Sequence, residues 1–454
     1  MPEQHHRCEV VVVGAGLSGL AAARRLSARG IDALVVEGQD RVGGRTLTHH
    51  LGDNVFIDHG GQWVSPGQDR IVALAAELGV ELFPSWDEGL TVRLQSGKRS
   101  IHDGALPPEH ADAAATMRRG AQTLTEMALR LPTDAPWAAE DAAAWDAATF
   151  RGWLAEHLDD DFAASALANA LEGVFGGGPG ETSLLAALAV IRSGAHEITR
   201  LTATHDLGPE RRFAGGAQQL CERMARRLGE RVVHGAYVTE VLHGPDSVQV
   251  QADHHTVTAR RAIITLPPML AGRIRYSPPL PADRDHLTQR TPMGWIIKVH
   301  CVYAERFWAD DGLSGKALSD SGAVRATADN SPPGGAPGIL VGFISGAEAR
   351  ALAPATPQQR RAAVVADLVR YFGGRATAPL SYHEWCWGDD PYARGAYGGF
   401  WTPGVWTTYG HALRAPVGPL HWAGTETATA WNAKMEGAIR SGEAVADHVA
   451  EVVA

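Results

Sequence analysis

The hydrophobic pattern at the start of the chain predicts a strand, a helix and a second strand. Residues 8–14 (CEVVVVG) are a short, Val-rich run closed by glycine, which is typical of a strand buried in a parallel sheet. Residues 17–29 carry Ala and Leu at helical spacing, and residues 32–37 (DALVVE) form a second apolar strand. A strand–helix–strand unit of this kind indicates an α/β fold.

Further along, the pattern alternates between helical spacing and strand-like runs. Helices are predicted at residues 68–79, 182–195 and 356–373, and a last one begins near Lys434. Residues 105–175 are predicted to be mostly helical, with a polar run at 132–136 that contains Pro132 and Pro136. Strands are predicted within residues 231–264, at 295–303 and at 339–344. The glycine- and proline-rich runs at 176–181 and 331–338 are predicted to be loops.

Size and composition restrict the class of protein. A chain of 454 residues exceeds one ordinary core, so two domains are expected. A formal charge of −10 argues against nucleic acid as a partner. The four cysteines are scattered without a C-x-x-C pair, which favours reduced thiols in a cytosol. There is no apolar signal core and no run of 18 apolar residues, so we expect a cytoplasmic protein that does not cross a membrane.

The first motif that carries chemistry is a glycine pattern between the first strand and the first helix. Gly14, Gly16 and Gly19 form G-x-G-x-x-G, and Glu37 ends the second strand. In such a unit the first glycine makes a tight turn, the second lets a pyrophosphate approach, and the third packs the helix on the strand. The carboxylate accepts hydrogen bonds from ribose hydroxyls. The pattern therefore predicts a dinucleotide site, to which we also assign Ser18 at the start of the helix.

Two further glycine pairs favour FAD over NAD as the dinucleotide. Gly43 and Gly44 stand directly before Arg45 in GQDRVGGRT (38–46), where backbone can run close beneath a long ligand and Arg45 offers a positively charged fork. The segment IDHGGQWV (57–64) brings a second glycine pair against a flat ligand. An NAD enzyme has no need of the second Gly-Gly-Arg loop.

The G-x-G-x-x-G unit, the segment 38–46 and the segment 57–64 follow one another as in the flavin monoamine oxidase family, which the sequence resembles. This family includes bacterial enzymes similar to putrescine oxidase. Three later segments extend the resemblance over nearly the whole chain: ERRFAGGAQQL (210–220), WGDDPYARGAYGGF (387–400) and WAGTETATAWNAKMEG (422–437). The resemblance implies an α/β protein in which a Rossmann-like FAD-binding domain is interleaved with a substrate-binding domain of mixed sheet and helices. The FAD-binding domain is expected at residues 1–85, 211–285 and 388–454, and the substrate-binding domain at residues 86–210 and 286–387.

The resemblance also implies the contacts to the cofactor. Beyond the residues already named, the expected FAD contacts are Gly61, Gln62, Trp63, Val238, Trp387, Gly424, Thr425, Glu426 and Met435. For Trp63 and Trp387 the alternative is a purely structural role. Val238 falls where the family's backbone meets adenine, and the last loop and helix face the pyrimidine end of the flavin. A helix N-terminus in that place stabilises negative charge on the reduced cofactor. No metal site is expected.

Two residues match catalytic positions of the family. Lys298 lies mid-strand in GWIIKVHCVY, where burying a lysine is costly. The matching lysine of the family holds a water beside the flavin and assists the reaction with oxygen; the alternative is a strand with one solvated polar face. Tyr397 matches one wall of the family's aromatic cage, and the alternative is an ordinary core tyrosine.

The sequence departs from the family's pattern at two positions. Ala396 stands where covalent members have a cysteine bonded to the flavin, so non-covalent FAD is expected. Lys434, the third residue assigned to the catalytic site, stands where many monoamine oxidases have the second cage tyrosine. A lysine there repels a cationic amine or attracts an anionic group of the substrate. The alternative is that Lys434 turns away and another aromatic residue, such as Trp431, completes the cage.

The implied function is oxidation of an amine CH–NH group to an imine by FAD, with oxygen reduced to hydrogen peroxide and the imine hydrolysed to an aldehyde or ketone. The expected partners are then a small amine and oxygen. The sequence does not decide between a monomer and a homodimer. An L-amino-acid oxidase is the first alternative, disfavoured because Gln62 and Trp63 stand where such enzymes place an arginine, yet kept open by Lys434. A carbon–carbon desaturase lacks the pairing of AGTETA with ARGAYGGF. A protein with purely structural FAD is disfavoured by Lys298 and Tyr397.

Overall fold

The structure is a computed structural model that describes residues 3–52, 54–103, 111–194 and 210–453. The strands within these ranges are β1 (Gln4–Arg7), β2 (Val10–Val13), β3 (Ala33–Val36), β4 (Thr48–Gly52), β5 (Val55–Asp58), β6 (Trp63–Val64), β7 (Leu82–Pro84), β8 (Leu90–Gln95), β9 (Lys98–His102), β10 (Arg211–Phe213), β11 (Val232–Val233), β12 (Val238–His243), β13 (Val248–Ala252), β14 (His255–Ala259), β15 (Arg261–Ile264), β16 (Arg275–Ser277), β17 (Ile296–Tyr303), β18 (Leu313–Ser319), β19 (Ala326–Asp329), β20 (Gly338–Ser345), β21 (Ser381–Cys386) and β22 (Leu420–Trp422).

The α-helices of the same ranges are α1 (Leu17–Ala28), α2 (Asp69–Leu78), α3 (Ala111–Leu129), α4 (Ala142–Ala147), α5 (Phe150–His157), α6 (Asp161–Phe175), α7 (Leu184–Ser193), α8 (Gln219–Leu228), α9 (Pro268–Ala271), α10 (Ala282–Gln289), α11 (Phe307–Asp310), α12 (Gly346–Leu352), α13 (Pro357–Phe372), α14 (Val405–Tyr409) and α15 (Met435–Val453). No helix in the described part of the chain is both long and apolar enough to cross a membrane.

A five-stranded parallel sheet forms the centre of the nucleotide-binding half. Its strand order is β11-β3-β2-β15-β22, and every neighbouring pair is parallel. Val10 and Val12 point to a core shared with α1, α2, α8 and α15, whereas Val11 and Val13 point to a second core. The alternation follows from the two-residue period of a strand. The carboxyl ends of these strands meet at one edge, where ligands bind in open α/β sheets.

The second core lies between the parallel sheet and a sheet of order β1-β14-β13-β12-β16. This half of the protein therefore has three layers: helices, parallel sheet and second sheet. Helices α1 and α15 lie so close that a Cβ on Gly442 would stand 2.1 Å from the Ser18 carbonyl oxygen. Glycine at this contact lets the last helix of the chain pack directly beside the first.

A seven-stranded mixed sheet of order β21-β17-β20-β19-β18-β8-β9 forms the other half. Helix α13 packs on one face of it and is closed at its start by a capping box of Thr356 and Gln359. The helices α3 to α7 share a separate apolar core with Trp401 and Trp406. Strand β17 lies between β21 and β20, and all eight of its residues are buried.

The predicted α/β fold class is confirmed, and the main elements appear near their expected bounds. The stretch expected to be mostly helical at 105–175 consists of α3, α4, α5 and α6, and the expected interruption at 132–136 lies between α3 and α4. Residues 104–110 lie outside the described chain. Strands β8, β9, β18 and β19 were not predicted. The interleaved domain bounds stay a prediction, although the parallel sheet and the seven-stranded sheet draw on different sets of the expected segments.

Candidate active site

One large cavity connects the two halves of the protein. Its volume is about 1510 Å³, and it extends from the carboxyl edge of the parallel sheet to the face of the seven-stranded sheet. Pockets for a single small ligand are usually about 300–1,000 Å³. The cavity is therefore large enough for a long cofactor and a substrate together.

The nucleotide end of the cavity is shaped by two glycine loops that lie against each other. Gly14 has φ +103° and Gly43 has φ +117°, conformations that favour glycine. The Gly43 N–H donates to the Ala15 carbonyl over 2.9 Å, which ties the second loop to the first. A Cβ on Gly16 would meet only the Gly43 carbonyl, at 3.9 Å. The backbone at Gly16 is thus open towards the cavity, as close approach of a pyrophosphate requires.

The start of α1 offers unused hydrogen-bonding groups to the same space. Ser18 is buried, lines the cavity, and its Oγ has no partner within the described residues. The N–H groups of the first helical turn are free of helix hydrogen bonds and lie at the positive end of the helix dipole. An orphaned hydroxyl beside a helix N-terminus matches the needs of a phosphate group.

Glu37 lies at the end of β3 and lines the cavity beside these loops. Its two carboxylate oxygens accept the Ala15 N–H at 2.7 Å and the Gln39 N–H at 2.9 Å. Burial raises the pKa of Glu37, whereas these two hydrogen bonds lower it. Since a carboxylate has about four acceptor positions, two stay open for ribose hydroxyls.

Arg45 and Glu426 join three loops around the middle of the cavity. The Arg45 guanidinium donates to Glu426 Oε1 at 2.6 Å, to Glu426 Oε2 at 3.1 Å and to the Tyr397 carbonyl at 2.6 Å. Glu426 also accepts the Gly399 N–H. Burial raises the pKa of Glu426, but the charge and hydrogen bonds of Arg45 outweigh it and lower the pKa overall. Arg45 therefore serves as a structural clamp as well as part of the cavity wall.

Lys298 lies on β17 and lines the cavity on the side of the seven-stranded sheet. Its Nζ donates to the Gly60 carbonyl at 2.9 Å and to Gln62 Oε1 at 2.5 Å, and it stands 5.2 Å from the Trp63 ring centroid. Gln62 in turn donates to Asn330. The side chain is fully buried, which excludes the solvated strand face as an explanation for the lysine.

Burial changes the protonation of this lysine. It lowers the pKa of Lys298 to about 7, although Asp58 raises it in part. Asp58 is itself buried, and burial raises its pKa against the influence of Arg212 and Lys298. At neutral pH the lysine can therefore exist in both protonation states, which is unusual for this side chain.

Tyr397 and Lys434 also line the cavity. Burial raises the pKa of Tyr397, so its phenol is neutral. The backbone of Lys434 is held by the Thr425 hydroxyl, which donates to the Lys434 carbonyl at 2.9 Å. Its ammonium makes no ion pair or hydrogen bond with the described residues. Burial lowers the pKa of Lys434, and the carboxylate of Glu210 opposes this.

Most of the expected site residues line this one cavity: Gly14, Gly16, Ser18, Glu37, Gly43, Gly44, Arg45, Gly61, Gln62, Trp63, Val238, Lys298, Tyr397, Gly424, Thr425, Lys434 and Met435. The structure places three others behind its wall. Gly19 packs against Gly14, Glu426 holds Arg45, and the indole N–H of Trp387 donates to the His59 carbonyl at 2.9 Å.

Glu210 and Lys316 also line the cavity, where the Glu210 charge acts on Lys434, but neither was among the predicted site residues. Glu210 accepts the Ser65 hydroxyl at 3.0 Å, and its charge acts on both Lys434 and Lys316. Glu210 is the first residue of the segment ERRFAGGAQQL (210–220), which carries part of the family resemblance, so the sequence did offer a signal for it. Lys316 comes from a strand that was not predicted.

The comparisons with known proteins agree with this geometry. Residues 17–450 match the family model of flavin containing amine oxidoreductases. An L-amino acid dehydrogenase of Synechocystis is 36% identical over 97% of this chain and 94% of its own length. A putrescine oxidase of Kocuria rosea is 34% identical over 97% of this chain and 95% of its own length. The solved structure of a putrescine oxidase bound to putrescine superimposes with a TM-score of 0.94 at 34% identity, over 98% of this chain and 99% of that one.

The chain therefore belongs to the flavin-containing amine oxidoreductase family. Its cofactor is FAD, and it is an oxidoreductase that acts on the CH–NH or CH–NH₂ group of amines. The predicted family, fold, amine oxidase function and cofactor are confirmed. The open backbone at Gly16 and the orphaned hydroxyl of Ser18 fit the phosphates of FAD, and the free lone pairs of Glu37 fit its ribose.

Acid or heat denaturation is expected to release FAD into the supernatant. Residue 396 is alanine, so no thiol is present where a covalent bond would form. Denaturation removes the hydrogen bonds that hold the cofactor, and nothing else then retains it. The test is the flavin absorbance of supernatant and washed precipitate. Yellow colour that stays with the precipitated polypeptide contradicts non-covalent binding.

Proposed function

We propose that this protein oxidises a small amine that carries an anionic or strongly polar group, with oxygen as the electron acceptor. When bound, FAD supplies hydride acceptance from the amine α carbon and transfer of the electrons to oxygen. The observation that carries the substrate part of the proposal is the position of Lys434 on the cavity wall, where its ammonium has no ion-pair or hydrogen-bond partner among the described residues. The protein is proposed to act in the cytoplasm, supported by its four free cysteines. A homodimer is the proposed assembly, and light scattering tests it by measuring the mass of the protein in solution.

The proposed role of the chain's own residues is positioning and exclusion of water. The neutral ring of Tyr397 forms one wall of the space for the amine, where an apolar surface favours a neutral nitrogen. Gly60 and Gln62 hold the Lys298 ammonium at a fixed place beside the flavin end. Preorganised groups of this kind act on developing charge without reorganising during the reaction.

Lys434 decides which substrates are accepted. While both groups carry a proton, a second ammonium 4 Å from its Nζ would be repelled by about 4 kcal/mol at an effective dielectric constant near 20. Glu210 lowers this repulsion without abolishing it, because its carboxylate is shared with Lys316 and hydrogen-bonded by Ser65. A carboxylate or hydroxyl on the substrate would instead be attracted. Simple alkylamines are therefore expected to be poor substrates.

Replacement of Lys434 by tyrosine is expected to reverse this preference. A peroxide-coupled screen of amines, polyamines and amino acids first identifies the best substrate of the wild-type enzyme. The kcat/KM ratio of that substrate to a simple arylalkylamine is then expected to fall by at least about tenfold in Lys434→Tyr. Lys434→Met serves as the matched control, because it removes the charge without adding an aromatic wall. A ratio unchanged in both variants means that Lys434 does not contact the substrate.

An L-amino-acid substrate is the second candidate, and Lys434 is the specific observation in its favour. Gln62, in the place where an arginine was sought, is occupied with Lys298 and Asn330 and so is not available to a carboxylate. Lys434 would have to supply the positive charge. The same screen separates the two candidates. An enzyme specific for amino acids should not oxidise the corresponding amine that lacks the α-carboxylate. An enzyme for polar amines should oxidise an amine that carries a hydroxyl group and no carboxylate.

A further inference from the structure

Two exposed tyrosines stand at the nucleotide end of the cavity, and the site as described gives them no role. Tyr237 is 41% exposed and Tyr392 is 37% exposed. Their rings meet edge to face, with centroids 5.9 Å apart and planes at 69°. Tyr237 directly precedes β12, whereas Tyr392 lies more than 150 residues later in the loop after β21. Their contact is therefore a feature of the fold and not of local sequence.

Gly38 fixes the position of this tyrosine pair relative to the cofactor site. A Cβ on Gly38 would lie 3.0 Å from the Tyr392 ring and 3.1 Å from the Tyr237 ring. Both rings thus rest on the backbone directly after Glu37, the residue expected to bind ribose. Gly38, Tyr237 and Tyr392 all line the cavity. The pair therefore stands beside Glu37, at the expected adenosine half of the site.

Hydrogen bonds hold the backbone of both loops, whereas in the described part of the chain the two rings are held only by packing on Gly38 and on each other. The Tyr237 N–H donates to Asp253 at 3.0 Å, and the Tyr392 N–H donates to Asp390 Oδ1 at 2.9 Å. Neither phenol has a hydrogen-bond partner within the described residues. Rotation of the side chains about fixed backbones is therefore the motion open to them.

We propose that Tyr237 and Tyr392 form a closure over the adenosine half of FAD that sets how fast the cofactor leaves. Aromatic rings retain nucleotide bases by stacking on them and by excluding water. Each stacked base raises the affinity roughly tenfold. The closure contacts only the adenosine half, so it slows release without changing the surroundings of the flavin ring. The proposal rests on FAD as cofactor and not on any substrate.

The test is the rate at which FAD leaves the holoenzyme after dilution, followed by the rise in flavin fluorescence. Tyr392→Ala and Tyr237→Ala are each expected to release FAD about tenfold faster than wild type. Tyr392→Phe should release it at the wild-type rate, because the ring and not the hydroxyl closes the site. The visible absorption spectrum of the bound flavin should be the same in all variants. Leu380→Ala, at a side chain that is 72% exposed, is the control for loss of an exposed hydrophobic group.

The following results would overturn the proposal. Release at the wild-type rate from both alanine variants shows that the rings do not close the site. Equally fast release from Tyr392→Phe or from Leu380→Ala shows that the ring-specific explanation is wrong. A shifted flavin spectrum in the alanine variants shows that the tyrosines act on the flavin end instead.

Discussion

Replacement of Gly16 by valine is expected to give a folded protein that purifies without FAD. A Cβ at this position meets only the Gly43 carbonyl, at 3.9 Å, and the backbone φ of −77° suits any residue. The protein itself can therefore accommodate the side chain. The valine methyl groups would instead occupy the space between the two glycine loops, where the pyrophosphate has to approach.

The measurement is the ratio of flavin to protein after purification, together with circular dichroism and thermal unfolding. We expect flavin content to fall by at least about tenfold while the far-ultraviolet spectrum is retained. Gly334→Val is the matched control, because a Cβ there has no neighbour within 4 Å. Gly19→Val should behave differently and lose the folded protein, since its Cβ would stand 1.9 Å from the Gly14 carbonyl oxygen. Full flavin content in Gly16→Val shows that no pyrophosphate lies at this loop.

The nucleotide-binding half of the site was predictable from sequence because its chemistry is local. A strand, three glycines, a helix and Glu37 follow one another within 30 residues, and each has one geometric task. The structure places Gly14, Gly16 and Glu37 around one space, as this pattern requires. The β17 position of Lys298 was also predictable, since a lysine within a run of Ile and Val is costly unless it has partners.

The substrate end was less predictable because it is assembled from distant segments. Lys434, Glu210 and Lys316 come from a loop, the start of a short strand and a strand of another sheet, and no spacing rule links them. The ion pair of Glu426 with Arg45 was not predicted for the same reason, because Arg45 lies 381 residues earlier. The sequence left Trp387 open between a flavin contact and a structural residue, because a large aromatic side chain packs equally well in front of a cavity wall or behind it.

Replacement of Lys298 by methionine is expected to slow the reaction of the reduced enzyme with oxygen by about a hundredfold, with the fold and FAD retained. Methionine has a similar length and no charge, so the change removes the ammonium held by Gly60 and Gln62. A fixed positive charge stabilises the negative charge that oxygen acquires as it is reduced. The measurement is stopped-flow mixing of anaerobically reduced enzyme with oxygen. Lys98→Met, at an exposed position on β9, is the matched control.

The rate of the reaction with oxygen should also depend on pH, in a direction set by the pKa of Lys298. Burial lowers the pKa of Lys298 to about 7, so the ammonium is present below that pH and is lost as the pH rises through it. The wild-type rate with oxygen should therefore fall between about pH 6 and 8, whereas the methionine variant should be slow and flat across the same range. Stability should follow the opposite course, because the unfolded lysine keeps its proton to about pH 10.5 and the folded one does not. Wild type should thus gain stability relative to Lys298→Met as the pH rises from about 7 to 10.5. An oxygen reaction that is equally fast and equally pH-dependent in both enzymes places Lys298 outside this step.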